Sequence, residues 1–441
     1  MGTRERTTSG AVPPLRRQLP VLALTLAIGA CGGQSERAAP HAGGAASGGG
    51  GGSGAAGGGG MGGGAGAPHV GCVVESRGSL PKATASMHTD SPAVIATESG
   101  FVIGYRSQGD LGGEPHRVHL LALSDDGLTG APEELDLGGC AYAQSNGLGL
   151  AYRAGQGMAV TGLPICASGA GMTFLPFDSD AKLGPAGVAN DATSFGFGTS
   201  RRSLAPGKAI GEWELVYTQA AVPERAVLAG SALKGSVPVE HPFGESQWRG
   251  AGVATSNEVI GMLSAEDTQT SAPGHLVLLM GPLLGDNLDL AVAPLPALPL
   301  AYDGDLIAWG TRVAVGARTP SGVFVRIFEL GDGGIEDVAS TELPDAEAYS
   351  LSLAVDGDDL YVAHGRDSAL GFVRIPGASA APRFDQATSA VFETVIEGTD
   401  FGFDGYGYGV AAARGRVAFA WLIGSLDHKD VAGGWLIAHC E

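Results

Sequence analysis

The chain has little positive charge and no long hydrophobic run. Its 26 lysine and arginine residues are outnumbered by 46 aspartate and glutamate residues, which gives a formal net charge of −20. A protein of that charge repels phosphate backbones, so nucleic acid is excluded as an expected partner. No apolar run reaches the length of a membrane-spanning helix, since the apolar stretch at 291–301 is interrupted by Pro294, Pro296 and Pro299.

Motifs of known catalytic chemistry are also lacking. The sequence has no phosphate-binding P-loop, no dinucleotide-binding glycine fingerprint, no His-Glu-x-x-His pair and no Gly-x-Ser-x-Gly nucleophile elbow. His116 and His119 lie close together, but no cysteine or second pair stands at a zinc-binding spacing. The Asp-rich stretches at 303–305, 331–333 and 356–359 fit tight turns better than calcium loops. The sequence therefore predicts no catalytic residue, no metal and no cofactor.

The chain has only 5 cysteines, and the first of them closes a segment with the three parts of an export signal. Residues 1–18 carry four arginines and one glutamate, residues 19–28 are apolar at all but two positions, and small residues lead to Cys31. The apolar part is too short to span a hydrocarbon core of roughly 30 Å as a helix. This order of parts predicts a signal segment over 1–30.

The four residues 28–31, Ile-Gly-Ala-Cys, resemble the lipobox of bacterial lipoproteins. The resemblance implies cleavage before Cys31, lipidation of its sulfur and a location in the cell envelope. Gly32 follows the cysteine, and in Gram-negative lipoproteins a residue other than aspartate there implies sorting to the outer membrane. An ordinary secretory signal with a chance cysteine and an uncleaved membrane anchor are the alternatives.

A glycine-rich stretch follows the anchor segment. Residues 42–67 are almost only glycine, alanine and serine, with 16 glycines in 26 positions. Such a stretch has too little apolar side chain to offset the entropy of ordering, so we expect a flexible tether over 31–69. Its r.m.s. reach is about 25–30 Å, taking roughly 5–6 Å times the square root of its length. The folded part is then expected over 70–441.

Short β-like runs between turn-forming clusters fill this folded part. Seven runs look alike and start 46 to 65 residues apart: 100–107, 147–154, 212–219, 258–265, 312–319, 359–366 and 416–423. Each is followed by a second apolar run. A period near 50 residues with about four short strands per unit is typical of a β-propeller, because one unit cannot bury its own faces. The sequence predicts an all-β, seven-bladed propeller, with a pair of β-sandwich domains as the alternative.

Small residues inside these runs are expected where strands crowd near a central axis: Gly104, Gly149, Ala151, Gly316, Ala363 and Ala418. The seventh unit ends at Cys440 after its third strand, and the strand-like run 70–75 has no unit of its own. In a closed propeller it would complete the last blade and place Cys72 beside Cys440. Four cysteines allow three pairings; this one leaves Cys140 with Cys166. An oxidising envelope compartment favours disulfides over free thiols.

One group of side chains is a candidate for ligand binding. Four of the seven runs end in arginine, which in a propeller would bring guanidinium groups to one rim, where they could grip a carboxylate or sulfate. Tyrosines of two runs and of the stretch 401–408 would add stacking surfaces. The residues are Arg106, Arg153, Arg318, Arg366, Tyr105, Tyr152, Tyr406 and Tyr408. The alternative is that the arginines pair with nearby acids such as Asp110 or Asp367, and that the aromatic rings pack between blades.

These features predict a lipid-anchored envelope protein with a non-enzymatic binding or scaffold role. Its expected partners are the membrane, through the anchor, and a protein, peptide or glycan ligand. An envelope hydrolase or lyase on the same scaffold is one alternative, and it would need clustered acids and a base. A passive structural surface lipoprotein is the other. Propellers host many functions, so the fold alone does not decide among them.

Overall fold

The computed structural model of the chain describes residues 72–81, 92–107, 117–124, 127–128, 130–136, 148–162, 172–189, 202–219, 222–239, 248–266, 276–283, 290–293, 295, 304–319, 322–344, 347–366, 369–393, 404–424 and 431–440. Several predictions lie outside these residues: the signal segment, Cys31, the tether over 31–69, and the pair Cys140 and Cys166. They stay predictions.

The described residues form β-strands almost throughout. In chain order the strands are β1 (Cys72–Ser79), β2 (Ala93–Ala96), β3 (Gly100–Ser107), β4 (Arg117–Ser124), β5 (Gly127–Leu128), β6 (Glu133–Asp136), β7 (Leu148–Arg153), β8 (Gln156–Gly162), β9 (Met172–Phe177), β10 (Gly187–Ala189), β11 (Leu204–Pro206), β12 (Glu212–Gln219), β13 (Val222–Ala229), β14 (Ala232–Pro238), β15 (Trp248–Thr255), β16 (Val259–Glu266), β17 (Leu276–Pro282), β18 (Ala291–Ala293), β19 (Gly304–Trp309), β20 (Arg312–Thr319), β21 (Gly322–Gly331), β22 (Gly334–Pro344), β23 (Glu347–Asp356), β24 (Asp359–Arg366), β25 (Ala369–Ile375), β26 (Thr388–Glu393), β27 (Asp404–Ala413), β28 (Arg416–Gly424) and β29 (Val431–Cys440).

The single described helix is a 3₁₀ turn at Phe384–Gln386. In the part of the chain with assigned structure, no helix has the length and apolarity needed to cross a membrane.

The strands form seven antiparallel sheets, which are the blades of a propeller. Blade 1 is β2-β3-β4-β5, with β6 also paired to β4, and blades 2 to 6 follow as β7–β10, β11–β14, β15–β18, β19–β22 and β23–β26. Blade 7 is β27-β28-β29-β1. The first strands of neighbouring blades contact one another in the order β2, β7, β11, β15, β19, β23 and β27, and β27 contacts β2 again. The prediction of a seven-bladed propeller is confirmed.

Strand β1 closes the ring by completing blade 7 from the other end of the chain. It pairs antiparallel with β29, and its register places Cys72 opposite Cys440. The two cysteines form a disulfide across 368 residues of sequence, with their Cα atoms 4.2 Å apart. We call this β1–β29 pairing with its disulfide the seam. Both the closing strand and the Cys72–Cys440 bond agree with the sequence-based predictions.

The hydrophobic core lies between blades and not within them. The buried apolar side chains form seven clusters, and each cluster joins two neighbouring blades around the ring. The cluster between blades 1 and 2, for example, contains Val102 and Val118 from one blade and Leu148 and Ala159 from the other. A lone blade would expose both apolar faces to water, which explains why the sequence repeats the same unit until the ring closes.

The structure corrects the sequence interpretation of blade 2. Six of the seven similar runs are the second strands of their blades, but the run 147–154 contains the first strand, β7, and the second strand is β8. Measured from β8, the second strands start 47 to 57 residues apart, a narrower range than the sequence suggested.

Two of the small residues in these runs, Gly104 and Gly316, crowd against a different neighbour than expected. A Cβ atom added at Gly104 would lie 2.7 Å from a methyl group of Leu148, and one at Gly316 would lie 2.6 Å from a methyl group of Leu351. Both contacts are with the first strand of the next blade. The lack of a side chain at these two positions therefore lets neighbouring blades approach, and it does not reflect crowding at the central axis.

Candidate functional site

All blades turn from their first to their second strand on one side of the ring, which we call the turn face. The turns are residues 97–99, 154–155, 207–211, 256–258, 310–311, 357–358 and 414–415. Several reverse the chain through residues of positive φ, among them Ala154 and Arg414, each followed by a glycine of positive φ. These short turns hold the ends of the first strands in place around the central channel.

Hydrogen bonds that involve side chains bridge all seven blade junctions on the turn face. In order from the junction of blades 1 and 2 they are Tyr152 Oη to the Glu98 carboxylate, Arg153 Nη1 to Gly207 O (2.7 Å), Thr255 Oγ1 to Pro206 O (2.6 Å), Ser256 Oγ to Gly310 O (2.5 Å), Arg312 Nη1 to Ala378 O (2.6 Å), the Gly415 N–H to Asp356 Oδ2 (2.6 Å) and Arg414 Nη1 to Thr97 O (2.8 Å). These bonds satisfy carbonyl and carboxylate groups near the turns and fix each blade to the next.

The junction of blades 1 and 2 depends on an ionisable pair. Glu98 accepts hydrogen bonds from the Tyr152 hydroxyl and from the Gly155 N–H. The bond from Tyr152 is the main cause that lowers the pKa of Glu98, because it stabilises the charged carboxylate. Partial burial, followed by the bond to Glu98, raises the pKa of Tyr152 to about 12. Tyr152 therefore stays a neutral donor to a charged acceptor at physiological pH.

The predicted ring of arginines does not lie on one rim. Because β7 is the first strand of its blade, Arg153 and Tyr152 lie on the turn face, whereas Arg106 lies near the opposite end of β3. The expectation of a common rim is therefore wrong for Arg153 and Tyr152. The side chains of Arg318, Arg366 and Tyr406 lie outside the described part, and ligand binding by them stays a prediction.

Three of the predicted residues are buried. Arg106 is only 5% exposed, and Tyr105 and Tyr408 are buried in the clusters that join blade 7 to blades 1 and 6. Burial raises the pKa of Tyr105 strongly, and its hydroxyl donates to the carbonyl of Pro81. These two aromatic rings pack between blades, which is the alternative that the sequence left open, and they present no ring face to a ligand.

The first strands enclose a central cavity of about 200 Å³. Residues from all seven blades form its wall, and most of them are apolar and small. Among the residues that the structure describes, Arg202 is the one charged member of the wall. The wall residues are Val94, Ile95, Ala96, Leu150, Ala151, Arg202, Leu204, Ala205, Pro206, Val253, Ala254, Thr255, Ile307, Ala354, Val355, Val410, Ala411 and Ala412. Several wall residues, such as Pro206 and Thr255, stand at the turn-face ends of their strands. The cavity therefore reaches the turn face.

Arg202 crosses the channel from blade 3 to blades 5 and 6. Its Nε donates to Asp305 Oδ1 at 3.1 Å, and its Nη2 donates to the carbonyl of Leu353. Asp305 is 1% exposed, and its other oxygen accepts the Leu353 N–H at 2.7 Å. We call this arrangement the crossing. It ties together blades that are not neighbours, and it places one buried ion pair where the sequence signalled only a turn at 303–305.

A second cavity, of about 360 Å³, lies on the turn face beside the channel. It surrounds the turn of blade 4 and is lined by Arg153, Pro206, Thr255, Ser256, Asn257, Glu258, Trp309 and Gly310. Pro206 and Thr255 line both cavities, so the two adjoin. We call the second cavity the rim pocket. The sequence did not predict this pocket. A Ser-Asn-Glu stretch indicates a turn, but the residues that three other blades contribute lie far away in the sequence.

The rim pocket offers several polar groups to a ligand. Arg153 uses two of its five N–H groups, one on Gly207 O and one on Asn257 Oδ1 at 3.1 Å. The Asn257 amide nitrogen and the Glu258 carboxylate have no protein partner among the described residues. The indole Nε1 of Trp309 is buried and likewise lacks a hydrogen bond in that part of the chain. The pocket thus combines donors and acceptors of both charges with one aromatic residue.

A separate polar network lies in blade 1, near the face opposite the turns. Ser107 Oγ lies 2.6 Å from His119 Nε2, and His119 Nδ1 lies 3.5 Å from Glu134 Oε1. The Tyr105 ring stacks on the imidazole with centroids 4.8 Å apart. The order of groups is that of a serine nucleophile, a base and an acid. The imidazole, however, is 0% exposed, whereas a catalytic base must reach the leaving group of its substrate. The network is better explained as a buried histidine held in place by Ser107, Glu134 and the Tyr105 ring.

Metal binding finds no support among the residues that the structure describes, since no three histidine, cysteine, aspartate or glutamate side chains converge there.

Several ion pairs within a blade join neighbouring strands of the same sheet. Arg225, for instance, binds Glu214 through two bonds of 2.9 and 3.0 Å, while burial still raises the pKa of that carboxyl.

Comparison with known proteins yields similarity of architecture only. No protein-family model and no curated protein matches the chain. The WD40 domain of Toxoplasma gondii coronin is 11% identical, with a TM-score of 0.48 over 84% of this chain and 88% of that one. Trypanosoma rangeli sialidase in complex with the inhibitor DANA is 10% identical, with a TM-score of 0.43 over 83% of this chain and 60% of that one.

A third similar structure is the acylaminoacyl peptidase of Pyrococcus horikoshii. It is 9% identical, with a TM-score of 0.36 over 63% of this chain and 43% of that one. The chain thus spans less than two thirds of the sialidase and of the peptidase. At these values the assignment of the fold rests on the seven sheets themselves, and function has to be argued from the site.

Proposed function

We propose that the chain is a lipid-anchored envelope protein that uses its propeller to bind a partner without catalysing a reaction. The observation that carries the binding role is the pair of adjoining cavities at the mouth of the channel on the turn face. Concave sites that combine an apolar cavity with a few polar groups are the usual form of ligand sites. The hydroxyl and guanidinium groups around it already donate to backbone carbonyls, an arrangement suited to holding a rigid surface.

The proposed location rests on the sequence and is supported by the seam. The lipobox-like residues before Cys31 imply an anchor, and the glycine-rich tether would hold the propeller off the membrane. A disulfide that joins the two ends of the folded part persists in oxidising compartments, which fits an exported protein. Such a protein would present a closed, rigid ring on a flexible chain.

The anchor is tested by comparing the full chain with its Cys31→Ser variant. Mass spectrometry of the mature protein should show a diacyl or triacyl group on Cys31, and the variant should leave the membrane fraction. Cys140→Ser serves as the matched control and should stay membrane-bound. A mature wild-type chain that begins at another residue, or a Cys31→Ser variant that stays in the membrane, would contradict the anchor.

An envelope hydrolase is a second candidate, and the Ser107–His119–Glu134 network is the observation in its favour. A fluorophosphonate probe applied to the full chain separates the two functions, because it labels serines activated by a base. We expect no label on Ser107, since the imidazole beside it is buried. Labelling that disappears in both Ser107→Ala and His119→Gln, and stays in Ser124→Ala, would favour the hydrolase.

A further inference from the structure

We propose that the channel mouth binds a peptide segment of a protein partner by taking one aromatic side chain into the central cavity, while the rim pocket binds the adjacent peptide backbone. This inference rests on the proposed binding role and names the ligand class. It assigns separate tasks to two adjoining cavities that differ in chemistry: an apolar one for the anchoring side chain and a polar one for the main chain.

The central cavity has the size and lining for one aromatic ring. Its volume is about 200 Å³, and an apolar cavity of roughly 150 Å³ in a protein core stays dry and holds one benzene molecule. The described part of the wall is apolar except at Thr255 and Arg202, so a ring that displaces water from the cavity would leave few polar groups without a partner. Anchors of this kind, aromatic side chains in fully desolvated pockets, contribute most of the affinity in many interfaces.

Arg202 favours an aromatic anchor over an aliphatic one of similar size. It is the one cation among the described residues of the cavity wall, and the crossing holds it in place through Asp305 and the Leu353 carbonyl. A guanidinium group near a ring attracts the negative face of the aromatic system, and the attraction grows when both are removed from water. Because Arg202 is held by the protein, a ligand does not have to order it on binding.

The rim pocket suits a peptide backbone next to the anchor. A peptide unit presents one N–H donor and one carbonyl acceptor, and both need partners when they leave water. The remaining N–H groups of Arg153 and the Asn257 amide can donate to carbonyls, while the Glu258 carboxylate can accept from an N–H. The opposite charges of Arg153 and Glu258 leave the pocket without a strong preference for a charged ligand.

A glycan fits this pair of cavities less well than a peptide. Its hydroxyl groups would find partners in the rim pocket, but they would lose their hydrogen bonds to water in the apolar cavity. A peptide with an exposed aromatic residue satisfies both cavities at once. Oligosaccharides therefore serve as the competing probe in the test.

The test is a titration of the full chain, purified in lipid nanodiscs, with blocked pentapeptides of glycine and serine. The peptides differ only in the central residue, which is phenylalanine, leucine or alanine. Because a phenyl ring is buried, we expect the phenylalanine peptide to bind on the order of 10 to 100 times more tightly than the alanine peptide. It should also bind a few times more tightly than the leucine peptide because of Arg202. Isothermal titration calorimetry measures all three.

Two variants, each with a control, test the two cavities independently. Ala412→Leu adds bulk to the cavity wall and should abolish the preference for phenylalanine, whereas Ala232→Leu on the exposed outer strand of blade 3 should leave it unchanged. Glu258→Gln should weaken all three peptides by a few fold, whereas Glu336→Gln, an exposed glutamate of blade 5, should not. Urea unfolding of every variant checks that the propeller is intact.

The outcomes distinguish this inference from the proposed function. Equal binding of the three peptides, or binding that is unchanged in Ala412→Leu, would overturn the channel as the anchor site while the binding role stands. Oligosaccharides that bind in place of peptides, and lose affinity in Glu258→Gln, would overturn the ligand class. Absence of binding by both the peptides and a panel of soluble oligosaccharides would overturn the proposed binding function as well.

Discussion

The seam and the crossing hold the same ring by opposite physical means. The seam lies in blade 7, where β1 pairs with β29 and a covalent bond joins Cys72 to Cys440. The crossing lies in the channel, where Arg202 reaches Asp305 and Leu353 from a blade that neighbours neither. One joins the two ends of the folded chain, and the other joins residues about 100 and 150 positions apart.

The difference between them lies in which state of the chain they act on. A disulfide stabilises mainly by limiting the freedom of the unfolded chain, and its effect grows with the length of the loop it closes. An ion pair exists only in the folded state, where its attraction has to offset the removal of both charges from water. Removal of the disulfide should therefore lower the free energy of unfolding in every case. Removal of the ion pair should lower it strongly only when one of the two charges is left behind.

The largest expected effect is that of cutting the seam. Replacing Cys72 and Cys440 together by serine opens a loop that spans 368 positions and should lower the free energy of unfolding by up to about 6 kcal/mol, by the loop-entropy argument. The hydrogen bonds between β1 and β29 remain, so the ring should still form. Urea unfolding followed by circular dichroism measures the loss. The variant Cys140→Ser/Cys166→Ser is the comparison, because the predicted bond between these two residues would close a far shorter loop and its removal should cost less. A loss below about 1 kcal/mol would contradict the loop-entropy account.

The crossing should show the asymmetry of a buried ion pair. Arg202→Met leaves the charge of Asp305 buried and should lower the free energy of unfolding by about 3 kcal/mol. The double variant Arg202→Met/Asp305→Asn removes both charges and should be destabilised by only about 1 kcal/mol, because no unpaired charge remains. The same unfolding measurement compares the two. A double variant less stable than Arg202→Met would contradict this account, because Asp305 would then stabilise the fold even without its cation.

A single bridge on the turn face should matter less than either. Arg153→Ala removes bonds to Gly207 and Asn257 and should lower the free energy of unfolding by about 1 kcal/mol, the usual contribution of partly exposed hydrogen bonds. Lys234→Ala is the matched control, since its ion pair with Glu212 lies exposed within one blade and should contribute a few tenths of a kcal/mol. Equal losses of stability in both variants would mean that a contact between two blades contributes no more than an exposed contact within one blade.

The seam was predictable from the sequence and the crossing was not, for a physical reason. Short apolar runs with turn signals between them repeat along the chain, so the number of blades can be counted, and the strand left over near Cys72 has one place to go. Arg202 and Asp305 lie 103 residues apart, and nothing local links an arginine before one strand to an aspartate at the start of another.

The misplaced strand of blade 2 has a similar origin. First and second strands of a blade are both buried and rich in small apolar residues, so the run 147–154 resembles second strands in composition although it contains a first strand. The error moved Arg153 and Tyr152 to the wrong face of the ring. The rim pocket could not be predicted from the sequence either, because four blades contribute to it and each contributes only a turn or the end of a strand.

The smallest expected effect is the pH dependence of the hydrogen bond between Tyr152 and Glu98. The folded pKa of Glu98 is lowered from 4.5, chiefly by the Tyr152 hydrogen bond, so the stability it contributes is complete well above that pH. That stability is lost as the pH falls below 4.5 through the folded pKa. Because Glu98 is largely exposed, solvent screening limits the effect to a few tenths of a kcal/mol.

Glu98→Gln removes this titrating group and keeps a side chain of similar shape. The difference in free energy of unfolding between wild type and variant should be complete at pH 7 and should shrink as the pH falls below 4.5 through the folded pKa of Glu98, in urea titrations at a series of pH values. Arg153→Ala provides the contrast, because the bonds that it removes go to a backbone carbonyl and an amide oxygen and involve no carboxylate, so its loss of stability should not change with pH. A Glu98→Gln effect that stays constant with pH would mean that the carboxylate acts at this junction through its shape and not through its charge.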